Sequence, residues 1–336
     1  MSDTILVTGG AGYIGSHAVK ALAAAGRRVV VYDDLSAGHR EAVAAVGGDV
    51  RLVEGDIRDT ARVCRTLSEC RAGAVMHFAA WLVVPDSVAD PIGYYRNNVT
   101  GALSVLEAMA ATGVSRFIFS STCAVYGDPV DVPMTEAHPT RPINTYGETK
   151  LAVERALPHL ERAHGVRSIA LRYFNAAGAD PDGVLGEDHA PEIHLIPRAL
   201  AAAVGGPPLL VFGDDYDTPD GTCQRDYIHV TDLADAHCKA LEALEHGAAS
   251  GVFNLGTGRP HSVREVVQSV ARVTGREVPC VVAPPRPGDP ARLFAATNRA
   301  RAALGWTPRF TDLDAIVGTA DRWHRTHPHG YAGGAA

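Results

Sequence analysis

The stretch Ile5-Leu-Val-Thr-Gly-Gly-Ala-Gly-Tyr-Ile-Gly15 decides the fold of this 336-residue chain. Its first four residues form an apolar run that predicts a buried strand, and the segment from Ile14 to Ala25 has the pattern of a helix. Gly9, Gly12 and Gly15 are spaced as G-x-x-G-x-x-G. Glycines so placed allow a tight turn, close approach of a pyrophosphate to the backbone and close packing of helix on strand, while the helix N-terminus offers N–H groups to phosphate. The stretch therefore predicts a dinucleotide-binding loop.

A carboxylate at the end of the next strand indicates which dinucleotide is bound. The run Arg28–Tyr32 predicts the second strand, and Asp33 and Asp34 follow it directly, with Asp33 18 residues past Gly15. A carboxylate at this point accepts hydrogen bonds from the adenosine ribose and repels a 2′-phosphate. The sequence therefore favours NAD over NADP.

The pattern of strand followed by helix continues through the first 175 residues. Further strands are expected at Val50–Val53, Ala74–Phe78, Arg116–Ser120 and Ser168–Arg172, with helices at Val99–Ala111 and Tyr146–His164. The strands are unbroken apolar runs, as expected where helices cover both faces of a sheet. Alternating strands and helices imply right-handed βαβ units and a parallel sheet. The predicted fold class is α/β, a Rossmann doubly wound parallel sheet with a smaller α/β C-terminal domain.

After about residue 176 the chain becomes rich in Gly, Pro and Asp, which predicts a second unit with short elements. We expect a first domain over residues 1–175, with later segments near 229–258 returning to it, and a smaller second domain over 176–336. Helices are expected in this second part at Asp232–His246, Val263–Thr274 and Leu313–Arg325.

Composition excludes several classes of protein. A net charge of -7 disfavours a nucleic-acid binder, and 46% hydrophobic residues disfavour disorder. Six scattered cysteines without a C-x-x-C pair indicate reduced thiols, a cytoplasmic location and no Cys-based zinc site. The first residues, MSDTILVTGG, lack the basic and apolar regions of a signal peptide, and no apolar run approaches the roughly 20 residues of a membrane helix.

A Tyr and a Lys four residues apart open the helix predicted at Tyr146–His164. Tyr146 and Lys150 therefore lie on one helix face, one turn apart. An unperturbed tyrosine has a pKa of about 10, and a nearby ammonium or an oxidised nicotinamide favours its phenolate. The pair is common by itself, and its position after a dinucleotide loop and five strands makes it a candidate for acid–base chemistry.

Together these motifs resemble the extended short-chain dehydrogenase/reductase family, and within it the family of UDP-glucose (UDP-galactose) 4-epimerases. The resemblance runs from Ile5 to about Tyr331, and the segment Phe212–His237 is the most diagnostic. The matching segments are VTGGAGYIGSH, EGDIRD, HFAA, NNV, FSSTCAVYGDP, TYGETKL, LRYFNAAGA, FGDDYDTPDGTCQRDYIHVTDLADAH, NLGTG and WHRTHPHGY.

The resemblance implies a mechanism for the inversion of C4 in a UDP-hexose. Tyr146, as phenolate, would remove the proton of the sugar 4-hydroxyl while NAD takes the hydride from C4. The 4-keto sugar would turn over in the site, and the same NADH would return the hydride to its other face, so that NAD stays tightly bound and is recycled. Lys150 would hold the nicotinamide ribose and lower the pKa of Tyr146, and Thr122 would hydrogen-bond the 4-oxygen.

The resemblance also implies the remaining site residues. The cofactor contacts would be Gly9, Gly12, Tyr13, Ile14, Gly15, Asp33, Asp56, Ile57, Phe78, Ala79, Ala80, Asn98, Tyr146, Lys150 and Tyr173. The substrate contacts would be Thr122, Asn175, His194, Leu195, Phe212, Arg225, Arg286 and Asp289. Among these, Phe212 would flank the uracil and Asp289 would bind the uridine ribose. Arg225 and Arg286 would neutralise the diphosphate. The family further implies a homodimer, paired through the helices near Val99–Ala111 and Tyr146–His164.

Some positions depart from the family. The segment Trp81-Leu-Val-Val84 is apolar where members often have small or polar residues facing the hexose, and some have Lys at the position of Leu82. Either an altered sugar preference or neutral drift accounts for this. His194 stands where some members have Asn, and Leu293 lies near a position whose size affects the fit of N-acetylated sugars. The C-terminal histidines His324, His327 and His329 have no recurring carboxylate partner, so no metal site is expected.

Three other functions are alternatives, of which the first fits the sequence and the other two are disfavoured by it. A 4-epimerase of another UDP-sugar, such as a UDP-pentose, a UDP-uronate or a deoxysugar, is compatible with every motif. A nucleotide-sugar 4,6-dehydratase needs a carboxylate pair after the catalytic Thr, whereas Thr122 is followed by Cys123-Ala-Val125. A non-catalytic NAD-binding regulator is disfavoured, because Thr122, Tyr146 and Lys150 are all present. Cys123 has no base partner in the sequence that would make it a nucleophile.

Overall fold

The computed structural model describes residues 4–286 and 289–333. Up to residue 177 the strands are β1 Thr4–Thr8, β2 Arg28–Asp33, β3 Val50–Glu54, β4 Ala74–His77, β5 Arg116–Ser120, β6 Arg167–Tyr173 and β7 Asn175–Ala177. The helices of this part are α1 Tyr13–Ala24, α2 Arg40–Val46, α3 Thr60–Cys70, α4 Val84–Ala89, α5 Pro91–Tyr94, α6 Gly101–Thr112 and α7 Thr145–His164. A π-helix spans Tyr95–Thr100 and a 3₁₀-helix spans Cys123–Val125.

The second part contains short strands between longer helices. The strands are β8 Leu209–Phe212, β9 Gln224–His229, β10 Gly251–Leu255, β11 Pro260–Ser262, β12 Cys280–Ala283 and β13 Arg292–Leu293. The helices are α8 Leu195–Ala203, α9 Val230–Glu245, α10 Val263–Thr274, α11 Asn298–Leu304 and α12 Leu313–Thr326, followed by a 3₁₀-helix at Gly330–Gly333. Within the part of the chain described here, no helix has the length and apolar character needed to cross a bilayer.

Seven parallel strands form the main sheet in the order β10-β6-β5-β4-β1-β2-β3. The chain runs from β1 outward to β3, returns to β4 beside β1, and continues outward on the other side. The strand order therefore reverses between β1 and β4, and ligands of open α/β sheets bind in the crevice at such a point. The predicted α/β class with a doubly wound parallel sheet is confirmed.

Helices cover both faces of this sheet, as the unbroken apolar strands predict. On one face, Ile5 and Val7 of β1 lie in a core that includes residues of α1 and α9, such as Leu22 and Leu233. On the other face, Leu6 lies in a core with residues of α3 and α6, including Val63, Leu67, Val105, Leu106 and Met109. Successive residues of β1 thus point to opposite faces, which gives the sheet two hydrophobic layers.

Two features of the sheet region differ from the sequence-based expectations. The strand β10 pairs in parallel with β6 and adds a seventh strand, although its sequence, Gly-Val-Phe-Asn-Leu, has neither an unbroken apolar run nor a clear alternation. The helix expected at Val99–Ala111 begins instead as the π-helix and continues as α6 from Gly101. This wider turn places Asn97 and Asn98 in buried positions.

The second part packs around its own core and carries two smaller sheets. Strand β9 pairs with β7, β11 and β13, and β8 pairs with β12. Helices α8, α10 and α12 pack together through apolar side chains that include Ile196, Leu200, Val266, Val270 and Ile316. The chain between β7 and α8 is a long loop, residues 178–194, that returns toward the start of α1.

Candidate active site

The glycine loop follows β1 at the edge of the sheet where the strand order reverses. Gly9 has φ +70, and a Cβ there would lie 2.4 Å from the nitrogen of Ala79. A Cβ on Gly15 would lie 2.1 Å from the carbonyl oxygen of Gly9, so both glycines are required by close packing. In contrast, a Cβ on Gly12 would meet only Gly9 O, at 3.5 Å, among the described residues. The backbone at Gly12 is therefore open to a ligand.

The start of α1 and the end of β2 complete a site that fits a dinucleotide. No side chain of the described residues caps α1 at Gly12, which leaves its first N–H groups for an anion. Asp33 is 7% exposed and accepts hydrogen bonds from the nitrogens of Ala11 and Leu35, both at 2.9 Å. Burial raises the pKa of Asp33, and these two bonds oppose that effect. Its oxygens retain lone pairs that can accept from a ribose.

The remaining cofactor candidates line the carboxyl ends of the neighbouring strands. Ile57 is buried against Gly101, where a Cβ would lie 2.4 Å from Ile57 Cδ1. The neighbouring Asp56 pairs with Arg58, which holds the pKa of that carboxyl below its usual range. Phe78 contacts His237 at a ring distance of 4.6 Å, and the nitrogens of Phe78 and Ala79 both donate to Thr8 O. Ala80 follows in the same partly exposed turn.

The catalytic candidates are brought together by the close approach of α7 to the end of β5. Asn144 caps α7 by accepting from the nitrogen of Gly147 at 2.9 Å. A Cβ on Gly147 would lie 2.5 Å from the carbonyl oxygen of Ala124, so only glycine lets the helix pack this closely. As a result, the hydroxyl of Thr122 lies close enough to the phenol of Tyr146 to lower its pKa. The Y-x-x-x-K pair and Thr122 thus belong to one site.

Burial is the largest influence on the charged states of Tyr146 and Lys150. Burial raises the pKa of Tyr146 well above its ordinary value, and the nearby hydroxyl of Thr122 offsets this only in part. Burial also lowers the pKa of Lys150 to about 7, although the charge of Glu154 opposes this. The ammonium lies 6.0 Å from the centre of the Tyr146 ring and donates to Ser120 O at 2.8 Å. Among the protein groups, burial therefore has the largest effect on the phenol and favours its protonated form.

A buried ion pair behind Lys150 is a functional feature that the sequence motifs do not predict. Glu154 accepts from Arg172 Nε at 2.9 and 3.2 Å and from Ser121 Oγ, and the side chains of Glu154 and Arg172 are 5% and 7% exposed. The spacing contained a signal for one partner, because Tyr146, Lys150 and Glu154 follow each other at intervals of four on one helix face. Arg172 lies on β6 and could be found only from the fold.

Asn98 links the apolar segment after β4 to the catalytic helix. Its Oδ1 accepts from the nitrogen of Trp81 at 2.8 Å, and its Nδ2 donates to Trp81 O at 3.0 Å and to Thr149 Oγ1 at 3.1 Å. The Trp81 ring contacts the edge of Tyr94 at 5.5 Å. Trp81 and Leu82 are 39% and 40% exposed, so this segment presents apolar surface.

The substrate candidates of the second part lie around β9 and the segment before β13. Arg225 forms an ion pair with Asp289 and also donates to Pro290 O at 2.8 Å. The guanidinium of Arg286 lies 3.9 Å from the centre of the Phe212 ring. Asn175 donates to the carbonyl oxygen of Asp226 at 3.0 Å. The structure therefore pairs four of the candidates with one another and connects the fifth to β9.

Three further candidates have partners that their expected roles do not explain. Tyr13 donates its hydroxyl to Gly178 O at 2.6 Å, which joins the glycine loop to the chain after β7. Tyr173 hydrogen-bonds to Ser120 through its hydroxyl. His194 precedes α8, which Leu195 opens, and its Nδ1 lies 2.6 Å from Glu187. Burial favours a low pKa for His194, but Glu187 and Glu192 raise its pKa to about 10.

Two residues considered at the edges of the site have ordinary structural environments. Burial raises the pKa of Cys123 to about 12, which keeps its thiol protonated and disfavours a nucleophilic role. His327 stacks on Trp323 at a ring distance of 4.9 Å, and its Nδ1 lies 3.2 Å from Trp323 O.

Comparisons with known proteins identify similar chains. Residues 5–256 match the family described as the NAD dependent epimerase/dehydratase family. A relative from Azospirillum brasilense named UDP-glucose 4-epimerase is 52% identical over 326 residues, which cover 97% of this chain and 93% of the relative. A solved UDP-glucose 4-epimerase from Brucella ovis in complex with NAD has a TM-score of 0.92 and 52% identity, covering 95% of this chain and 98% of that one. Another, from Stenotrophomonas maltophila with bound NAD and formylated UDP-arabinopyranose, has a TM-score of 0.94 and 40% identity, covering 97% and 98%.

Proposed function

Because the chain belongs to the NAD dependent epimerase/dehydratase family, we propose that it is a UDP-glucose 4-epimerase, an isomerase that inverts C4 of a UDP-hexose. The observation that carries this proposal is the joining of Thr122, Tyr146 and Lys150 at the sheet edge that also carries the glycine loop. Relatives and solved structures of that name, which align with nearly the whole chain, support it.

The protein residues hold the cofactor along the carboxyl edge of the sheet. The N–H groups around Gly12 and the start of α1 bind the pyrophosphate, and Asp33 accepts from the adenosine ribose. Asp56 and Ile57 contact the adenine, and Phe78–Ala80 with Asn98 and Tyr173 surround the nicotinamide half. Bound NAD would supply the acceptor and donor for the hydride of C4, and the positive charge of its oxidised form would favour the phenolate of Tyr146.

The chain's own groups manage the proton of the sugar 4-hydroxyl. Tyr146 Oη takes this proton and later gives it back, while Thr122 Oγ1 hydrogen-bonds the 4-oxygen and keeps it in place. Lys150 holds the nicotinamide ribose and contributes its charge to the same region. Because burial raises the pKa of Tyr146, positive charge near the phenol is required for it to act as a base at neutral pH.

The substrate diphosphate and its uridine occupy the second part of the chain. Arg225 and Arg286 neutralise the diphosphate, which suits the fork geometry of guanidinium groups. Phe212, already under Arg286, flanks the uracil, and Asp289 binds the uridine ribose. The other proposed contacts are Asn175 near the diphosphate, and His194 and Leu195 at the start of α8.

We infer a division into an NAD-binding domain, residues 1–175 with returning segments near 229–258, and a nucleotide-sugar domain, residues 176–336. The pairing of β10 with β6 and the packing of α9 against the main sheet support the returning segments. The six free cysteines, all among the described residues, support a reducing, cytoplasmic environment.

We also propose that two copies pair as a homodimer through the helices near Val99–Ala111 and Tyr146–His164. Ile92, Tyr95 and Leu103 support the first of these helices, because they expose 65%, 44% and 41% of their surface along the consecutive helical segments α5, the π-helix and α6. Light scattering coupled to size exclusion should find a dimer for the wild type and a monomer for Leu103→Glu. A monomeric wild type would refute the pairing.

A second candidate is a 4-epimerase of a different UDP-sugar. It is favoured by the exposed apolar surface of Trp81 and Leu82, which Asn98 holds beside the catalytic helix. Such a surface suits a sugar that lacks a polar group. Leu82→Lys should then change the ranking of kcat/KM among UDP-sugars, whereas an unchanged ranking would remove this candidate.

The experiment that tests the proposed function incubates the purified protein, without added cofactor, with a panel of UDP-sugars and identifies products by NMR. UDP-glucose and UDP-galactose should interconvert and reach the same mixture from either side. Conversion of another UDP-sugar alone would favour the second candidate, and conversion of none would reject both.

A further inference from the structure

A compact group of four potential metal ligands lies in the loop between β7 and α8. Among residues 4–286 and 289–333, one group of His, Cys, Asp and Glu side chains has its ligand atoms within 4.8 Å of one another, and it consists of Glu187, His189, Glu192 and His194. Glu187 is buried and the other three are partly exposed. In sequence these residues form the pattern E-x-H-x-x-E-x-H. They are separate from the C-terminal histidines His324, His327 and His329.

The separations of these ligand atoms are close to those around a tetrahedral ion. The histidine Nδ1 atoms of His189 and His194 lie 3.2 and 2.6 Å from Glu187 Oε1. They lie 3.7 and 3.2 Å from Glu192, measured to Oε2 for His189 and to Oε1 for His194. Zinc with bonds of about 2.0–2.2 Å holds tetrahedral ligands about 3.3–3.6 Å apart. Only the separation between His194 Nδ1 and Glu187 Oε1 is clearly shorter than this range. It would have to lengthen by about 0.8 Å when the ion binds.

Two buried atoms of the group make close ion-pair contacts that lack the geometry of a hydrogen bond. Glu187 Oε1 and His189 Nδ1 are buried without a hydrogen-bond partner within the described residues, although two histidine nitrogens lie within 3.2 Å of Glu187 Oε1. Buried polar atoms normally have such partners, because leaving one unsatisfied costs about 1–3 kcal/mol. Ligand atoms around a metal ion lie close together but point at the ion and not at each other, which is the arrangement seen here.

We propose that Glu187, His189, Glu192 and His194 bind one divalent transition-metal ion of the Zn²⁺ type. Two imidazole nitrogens and two carboxylate oxygens are the donors that zinc accepts, whereas Mg²⁺ and Ca²⁺ prefer oxygen alone. Two carboxylates balance the charge of the dication, so the loaded site is neutral with uncharged imidazoles. A closed set of four protein ligands is typical of a structural site and not of a catalytic one.

The bound ion would stabilise the packing of the loop at residues 178–194 against the nucleotide-binding part of the chain. The ring of His189 contacts the edge of the Tyr13 ring at 6.2 Å, and Tyr13 donates to Gly178 at the start of the same loop. His194 precedes α8 directly, so the ion would also order the start of this helix. The site is therefore expected to stabilise the folded chain when the ion binds.

Equilibrium dialysis of the untagged full-length protein against ZnCl₂, after treatment with EDTA, tests this proposal. Metal analysis should find about one zinc per chain. Glu187→Gln and His189→Asn should each weaken zinc binding by at least about 10–100-fold, because even outer-shell changes cost that much. The matched controls His246→Asn, an exposed histidine on another element, and Cys280→Ser, an exposed thiol, should keep full binding.

Two further measurements keep the test decisive if a variant folds poorly. Circular dichroism checks the fold of each variant, and Co²⁺ in place of zinc should give the intense visible absorption of a tetrahedral site in the wild type but not in His189→Asn. The proposal is overturned if the wild type binds no zinc, or if both ligand variants retain it. It is also overturned if only Cys280→Ser loses binding, or if His189→Asn lowers Tm while the zinc content stays unchanged.

Discussion

Replacing Glu154 with Gln removes one charge from the buried pair behind Lys150 while keeping the shape of the side chain. Glu154 accepts hydrogen bonds from Ser121 and Arg172, and both charged side chains are less than 10% exposed. The substitution therefore leaves the guanidinium of Arg172 buried without its counter-charge. Breaking a buried pair by removing one partner costs about 3–5 kcal/mol, because the remaining charge is uncompensated.

The expected change in thermal stability follows from the length of the chain. Unfolding entropy of about 2.1 cal/mol/K per residue gives about 0.7 kcal/mol/K for 336 residues. A loss of 3–5 kcal/mol should therefore lower Tm by about 4–7 °C, measured by calorimetry at neutral pH. Glu242→Gln, an exposed glutamate on α9, is the matched control and should move Tm by less than about 1 °C.

A double variant separates the cost of the lone charge from the loss of packing. Glu154→Leu with Arg172→Met removes both charges and keeps apolar volume, so it should be more stable than Glu154→Gln. If Glu154→Gln melts within about 1 °C of the wild type, or if the double variant is the less stable of the two, the uncompensated charge is not the reason for the effect.

Three other substitutions test separate parts of the site. Gly147→Ala puts a methyl group 2.5 Å from Ala124 O and should therefore shift the neighbouring Tyr146. The kcat for UDP-glucose should then fall on the order of 100-fold, and an unchanged kcat would contradict this expectation. Asp33→Ala should weaken NAD binding by about 10–100-fold in fluorescence titration, while the exposed control Asp49→Ala should not. Burial lowers the pKa of Lys150 from 10.5 to about 7 in the folded chain, so the unfolded chain is expected to bind more protons between these values and stability should rise with pH. The Tm of the wild type should therefore rise relative to Lys150→Met from pH 7 to pH 10; a constant difference would refute the shift.

The local motifs were predictable because each of them depends on the spacing of residues within a short stretch of sequence. The strand, glycine loop and helix at Ile5–Ala25 have a fixed spacing, and Tyr146 and Lys150 share a helix face by periodicity. The unbroken apolar strands also predicted a parallel sheet covered on both sides. This is confirmed in β1, where the side chains of Ile5 and Leu6 lie in the cores on opposite faces of the sheet.

Features that depend on distant contacts were not predictable in the same way. Arg172 reaches Glu154 only because β6 lies beneath α7, and β10 becomes a strand only by pairing with β6. The raised pKa of Tyr146 depends on burial, which a motif does not reveal. The pattern E-x-H-x-x-E-x-H starting at Glu187 was present in the sequence, but the turn that brings its four side chains together is a property of the folded loop.

The most direct test of the central claim compares the wild type with Tyr146→Phe, which removes only the hydroxyl that exchanges the proton. Both proteins, purified with their bound nucleotide, are given UDP-glucose, and the appearance of UDP-galactose is followed by NMR. The wild type should convert the sugar, and Tyr146→Phe should lose conversion while retaining NAD and its Tm. A variant that inverts C4 at the wild-type rate would contradict the assignment of Tyr146 as the acid–base group.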